Sequence, residues 1–196
     1  MTTSPPLILA SNSPRRHELM KLAGFDFAIE PTHVDESFSA DIPVEEVPEL
    51  LAQRKARALK HKSSVSLVIA ADTVVILEGE ILNKPADESE AIAMLQRLSG
   101  KRHTVITGVC LIFQEIEVLF SEETEVYFRD LSLLEIQQYV SNAQPLDKAG
   151  AYGIQDSIGL TGVQRIEGDF YNVMGLPVQR LFVEMNLILS LVDMTS

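Results

Sequence analysis

The chain has 196 residues, 46% of them hydrophobic and 22% charged, which is ordinary globular material and enough to bury a substantial core. A formal net charge of −12 argues against a general nucleic-acid or anionic-membrane surface, because such surfaces need clustered Lys and Arg. A single cysteine excludes an internal disulfide and every multi-cysteine metal site, while a small polyanionic substrate stays open wherever cations gather locally.

Met1 to Pro6 lack the basic and apolar regions of a signal peptide, and no stretch approaches the roughly 20 apolar residues of a membrane span. A cytoplasmic location is therefore expected. Leu7 to Ala10 reads as a short apolar strand. It runs into Ser11-Asn12-Ser13-Pro14-Arg15-Arg16 and then a helical pattern, with Ser13 as N-cap, Pro14 at the first helical position and Gly24 as the stop. Asp26 to Glu30 forms a second strand, and Pro31 to Ile42 an acidic loop carrying Asp35 and Glu36. A helix follows from about Glu46 to His61, where Pro48 fits only a first turn.

Leu67 to Ala71 is a fully apolar run of strand length that ends at Asp72-Thr73, which puts Asp72 at a strand end, and Val74 to Leu77 continues as strand before the turn at Glu78-Gly79. Asp87 with Glu90 and Ser132 with Glu135 have the spacing of capping boxes. The first opens a helix with Ala91, Met94, Leu95 and Leu98 on one face, ended by Gly100; the second opens a helix to about Ser141. Thr104 to Phe113 and Val118 to Phe128 form long antiparallel strands. Cys110 sits in an apolar run and reads as a buried core thiol. From Pro177 a last helix places Val178, Leu181, Phe182, Met185, Ile188 and Val192 on one face, and its apolar end could also meet a partner subunit. With no repeat or linker, residues 1–196 form one domain. The expected class is α/β: a mixed, partly antiparallel twisted sheet flanked by helices, in two lobes around a central cleft.

The loop into the first helix is suited to an anion. The free N–H groups of a helix N-terminus, its dipole, two serines and two guanidinium groups all favour phosphoryl oxygens, although capping alone would also explain Ser13. A carboxylate at a strand end, as at Asp72, is costly unless it binds a metal, pairs with a cation or activates water; capping the next turn is the plainer alternative. Lys84 precedes a rigid proline and Lys55 lies on the second helix, where a surface turn and a solvated helix face are the default readings. Asp147 to Gln155 has two glycines in four residues, a sign of close backbone approach or of turns. His33, His61 and His103 lack mutual ligand spacing, and His17 is placed on the exposed side of the first helix, so none is assigned to a metal.

These segments occur together in one order. SNSPRR after an apolar strand, DES, QRKARA, AADTVV, NKP, LSGKRHTVITG, DKAGAYGIQ and NVMGLP resemble, in order and spacing, the Maf family of nucleoside triphosphate pyrophosphatases from Leu7 to about Pro177. The resemblance implies a Maf and inosine triphosphatase-like fold, and hydrolysis of a nucleoside triphosphate between its α and β phosphates with Mg²⁺ or Mn²⁺. It puts Ser11, Ser13, Arg15 and Arg16 at the phosphates, with Lys55, Lys84 and Lys148 offsetting further charge. Lys84 joins Asp72, the family's proton acceptor, as a catalytic residue. Glu36 and Asp72 become the metal ligands.

DKAGAYGIQ is similar to the subgroup acting on dTTP and UTP, which makes Gln155 the base reader and associates Arg15 and Thr73 with specificity. A glutamine amide can answer the N–H between two carbonyls that thymine and uracil present. Ala71 and Asn83 stand where many relatives carry glycine. Analogy with relatives suggests a homodimer. The alternatives are the same reaction on a modified purine such as 7-methyl-GTP, or a non-catalytic nucleotide-binding role in cell division.

Overall fold

The computed structural model describes residues 5–195. The chain forms β1 (Leu7–Leu9), α1 (Pro14–Leu22), β2 (Phe27–Ile29), α2 (Val47–Ala58), β3 (Leu67–Leu77), β4 (Glu80–Leu82), α3 (Glu88–Leu98), β5 (Arg102–Phe113), β6 (Ile116–Phe128), α4 (Leu133–Ala143), α5 (Ser157–Gly162), β7 (Val163–Glu167), α6 (Phe170–Met174) and α7 (Val178–Thr195). Short 3-10 turns cover Lys60–Lys62, Pro145–Asp147 and Ala149–Ala151. The strands form one mixed sheet in the order β2-β1-β3-β5-β6-β7, with β4 beside β3. Pairing is parallel for β1 with β2 and with β3, and antiparallel for β3 with β4 and β6 with β7.

By its contacts the chain divides into two compact units. The first contains the residues up to Asp72, Thr107–Glu122 and the segment from Gly175 on; the second contains Thr73–Ile106 and Glu123–Met174. In the first unit α2 lies on the sheet through Ala52 and Ala56, with Leu59 just beyond its end, against Val68 and Ala70 of β3 and Cys110 and Ile112 of β5. Small side chains permit this close approach. At Gly108 of β5 a Cβ would lie 2.3 Å from the backbone of Pro48 and Glu49, so the start of α2 rests directly on that glycine. The core of the second unit includes Leu95 and Leu98 of α3, Ile136 and Val140 of α4, and Tyr152 and Ile158.

Three expectations are corrected. The second helix ends at Ala58 and gives way to a 3-10 turn rather than continuing to His61. Asp87 caps α3 as expected, but Glu90 reaches back to the N–H of Ala86, one residue before the cap. Most consequentially, the strand does not stop at Asp72. β3 runs unbroken through Leu67–Leu77, with Asp72 and Thr73 as its only half-exposed residues between two buried runs. Elsewhere Ser13 caps α1, Pro48 lies in the first turn of α2, and Ser132 with Glu135 forms a full capping box. No helix among the described residues is long and apolar enough to cross a membrane.

Candidate functional site

In the first unit the local folding of three segments brings charge to one place. Successive side chains of a strand alternate faces, so Val68, Ala70 and Asp72 share the face that α2 covers. On α2, positions 52, 55 and 56 form one helical stripe, and Lys55 extends from it beside Ala52 and Ala56. Its Nζ meets Asp72 Oδ1 at 2.6 Å and Glu36 Oε1 at 2.8 Å. The Lys55 side chain is only 13% exposed, which replaces the solvated-face reading with a cation shared by two carboxylates.

Glu36 belongs to a loop, yet it is held in place. Asp35 accepts from the Ser37 N–H at 2.9 Å and the Ser37 hydroxyl at 2.8 Å, bonds that hold its carboxyl below the usual carboxylate range. Arg54 of α2 donates to the carbonyls of Asp35 at 3.0 Å and Ser37 at 2.5 Å, on either side of Glu36. Sequence reasoning missed Arg54. Its adjacency to Lys55 on one helix was the available signal, because neighbouring positions there can reach a loop and a strand at once.

The Ser11-to-Arg16 loop folds as a capped N-terminus. Ser13 Oγ accepts the Arg16 N–H at 3.5 Å, and Ser11 Oγ accepts the Ser13 N–H at 3.2 Å. Arg16 acts as a strut. Its Nε donates to the Gly175 carbonyl and its Nη1 to the Ala71 carbonyl, each at 2.8 Å, with a further bond from Nη1 to Ser11 Oγ at 3.3 Å. Burial pulls this guanidinium below its ordinary value, and the charge of Asp72 opposes that shift. Arg15 lies half-buried on the same first turn. His17 is not on an exposed face: it is half-buried, with Nε2 2.7 Å from the Ser11 carbonyl, so it also steadies the loop.

The second unit holds the other candidates. Lys84 is exposed after β4, and Thr73 is half-buried in β3. The Gly150 N–H donates to the Asn83 carbonyl at 3.2 Å, which joins the NKP segment to the DKAGAYG segment. Gly150 has φ +66°, and a Cβ there would crowd Val75 at 3.0 Å. Lys148 Nζ lies 2.8 Å from Asp147 and 3.9 Å from Asp156. Gln155 sits in a turn closed by the Asp156 N–H on the Gly153 carbonyl at 3.0 Å, and its Oε1 is buried with no hydrogen-bond donor. The structure thus brings together Ser11, Ser13, Arg16, Glu36, Lys55 and Asp72 in one unit, and links the segments of Lys84 and Gln155 in the other.

Asp72 and Glu36 converge on one cation, and among the described residues no group of three or more His, Cys, Asp or Glu could enclose a metal. Two carboxylates, Asp72 largely buried and Glu36 exposed, could serve a hard ion that takes its remaining oxygens from phosphate and water.

Known proteins resemble this chain over most of its length. A dTTP/UTP pyrophosphatase of Cytophaga hutchinsonii is 46% identical over 91% of this chain and 82% of its own. The dTTP/UTP pyrophosphatase of Bacteroides thetaiotaomicron is 48% identical over 91% of this chain and 94% of its own. Among solved structures, the Ham1 protein of Staphylococcus aureus aligns at 18% identity with a TM-score of 0.48, over 64% of this chain and 72% of that one. The family model described as Maf-like protein matches residues 6–187. With its SNSPRR loop, its AADTVV strand and its DKAGAYGIQ turn all inside that match, the chain belongs to the Maf family.

Proposed function

We infer that this chain is a nucleoside triphosphate pyrophosphatase that hydrolyses dTTP and UTP between the α and β phosphates, giving the nucleoside monophosphate and pyrophosphate. The observation that carries the reading is Asp72. An apolar strand keeps a carboxylate in its middle, within 2.6 Å of Lys55, which also holds Glu36. Isolated charge in such a place is costly, so the pair is retained for chemistry or for folding, and the capped anion loop close by in the same unit favours chemistry.

In this reading Asp72 takes the proton of the attacking water as the new P–O bond forms at the α phosphorus and the bond to the bridging oxygen breaks. Ser11, Ser13, Arg15 and the first-turn N–H groups of α1 bind phosphoryl oxygens, while Arg16 holds the loop in shape. Lys55, Lys84 and Lys148 offset charge, so an acidic protein can accept an anionic substrate. Glu36 and Asp72 would hold Mg²⁺ or Mn²⁺, which when bound lowers the pKa of water and stabilises charge at phosphorus. Gln155 Oε1 accepts the imide N–H of thymine or uracil, the donor that a buried amide oxygen requires. Thr73 and Arg15 complete the base and phosphate contacts. We take the location to be the cytoplasm. A homodimer has one feature in its favour, the exposed Phe182, Val183 and Leu187 of α7, and sedimentation velocity tests it.

The deciding experiment is pyrophosphate release from dTTP, UTP, CTP, GTP and 7-methyl-GTP, with Mg²⁺, with Mn²⁺ and with chelator. Metal-dependent release fastest with dTTP and UTP is expected, and Asp72→Asn should lower turnover by about 10²-fold or more while the thermal midpoint stays near that of the parent. Wild-type turnover in Asp72→Asn sinks the assignment.

A further inference from the structure

The turn that carries Gln155 is built with unusual care. Gly153 to Asp156 is closed by its own backbone hydrogen bond, and three other features pin it. Tyr139 donates its hydroxyl to Asp156 Oδ2 at 2.8 Å, and the phenol oxygen of Tyr139 accepts the Gly153 N–H at 3.4 Å. One phenol therefore ties both ends of the turn. Asp156 in turn folds over Gly153, where a Cβ would come within 2.8 Å of its carboxylate. Beneath the turn α5 packs at Gly159, whose Cβ position lies 2.1 Å from the Ile154 carbonyl. The helix bearing Tyr139 is itself well defined. Ser132 and Glu135 cap it reciprocally at 3.3 and 2.9 Å, and Ile136, Tyr139 and Val140 form its buried stripe.

We propose that Tyr139 is a specificity-determining positioning residue, which through Asp156 and the Gly153 amide fixes the turn so that the Gln155 amide faces a pyrimidine imide in one orientation. The proposal rests on Gln155 as base reader. A free glutamine amide can rotate and offer either its oxygen or its nitrogen to a base, which would accept several bases with similar strength. A pinned backbone turn with a buried amide oxygen removes that freedom. Burial and the neighbouring Asp156 both push the Tyr139 phenol above its ordinary value, so it keeps its proton and goes on donating across the working pH range.

The test uses the full chain and steady-state kcat/KM for UTP, dTTP, CTP and GTP in four proteins: wild type, Tyr139→Phe, Gln155→Ala and the double variant. Tyr139→Phe keeps the ring and loses only the hydroxyl. It should lower the preference for UTP and dTTP over GTP by roughly 10-fold, with turnover of GTP little changed, and the double variant should discriminate no worse than Gln155→Ala alone. If Tyr139→Phe melts before assay, Asp156→Ala removes the acceptor without touching the α4 core and should show the same shift. Loss of discrimination in Gln155→Ala with its retention in both Tyr139→Phe and Asp156→Ala overturns this inference and spares the base reader. Multiplying losses in the double variant overturn it too. A wild type that does not prefer UTP and dTTP, or a Gln155→Ala that still does, refutes the base reader and the inference with it.

Discussion

His103 shows at the residue scale how a buried group writes itself into pH dependence. It is 2% exposed, its Nε2 lies 2.7 Å from the Tyr152 hydroxyl, its ring packs against Phe128 and Tyr152, and its Nδ1 is buried without a partner. Burial holds this imidazole down at about 4. The unfolded chain binds a proton here below 6.5, whereas the folded chain does not until about 4. The contribution to stability is therefore complete above pH 6.5 and is lost progressively as the pH falls towards 4, by about 3 kcal/mol in full. Urea midpoints at pH 7 and pH 4.5 check it: His103→Leu should lose less between them than the wild type. Nothing in the sequence marked this residue, because a histidine beside Arg102 looks the same whether it faces solvent or core. Asp72, by contrast, was legible, since its apolar flank makes a carboxylate anomalous. What could not be read was its partner, because Lys55 meets it only after α2 lies down on β3.

Among the elements, α2 and β5 meet in direct backbone contact at Gly108. With 2.3 Å between a hypothetical Cβ of Gly108 and the backbone of Pro48, Gly108→Ala must lift the start of α2 from the sheet. A loss of roughly 1–3 kcal/mol in chemical denaturation is expected, as for other overpacked sites. Because α2 also carries Arg54 and Lys55, turnover should fall beyond what lost stability explains. Most of the longer elements were readable from caps and periodicity, as the Ser13 and Ser132 N-caps and the Gly24 stop illustrate. α5, β7 and α6 were not read, because each is only five or six residues long and carries little periodic signal. The continuity of β3 was hidden for a different reason. A polar pair normally marks a strand end, whereas here the strand runs on through it between two buried runs.

At the scale of the whole molecule, neither unit is a contiguous piece of chain. The path passes from one to the other after Asp72, Ile106, Glu122 and Met174, and the first three points lie inside β3, β5 and β6. Strands shared in this way should make unfolding a single event. The length of the chain suggested one domain divided into two lobes, but the positions of these passages were not legible, since no turn residue announces a division inside a strand. The composition supplies the means of checking cooperativity. The chain has no tryptophan, its four tyrosines (Tyr127, Tyr139, Tyr152 and Tyr171) all fall in the second unit, and its one thiol, Cys110, falls in the first, buried and pushed up to about 12. Tyrosine fluorescence and the rate of thiol modification should therefore report the same midpoint on denaturation. Distinct midpoints would show the units opening separately. A cysteine introduced on the surface would then be the sole reactive sulfur of the native protein, ready for a single fluorophore with Cys110 left in place.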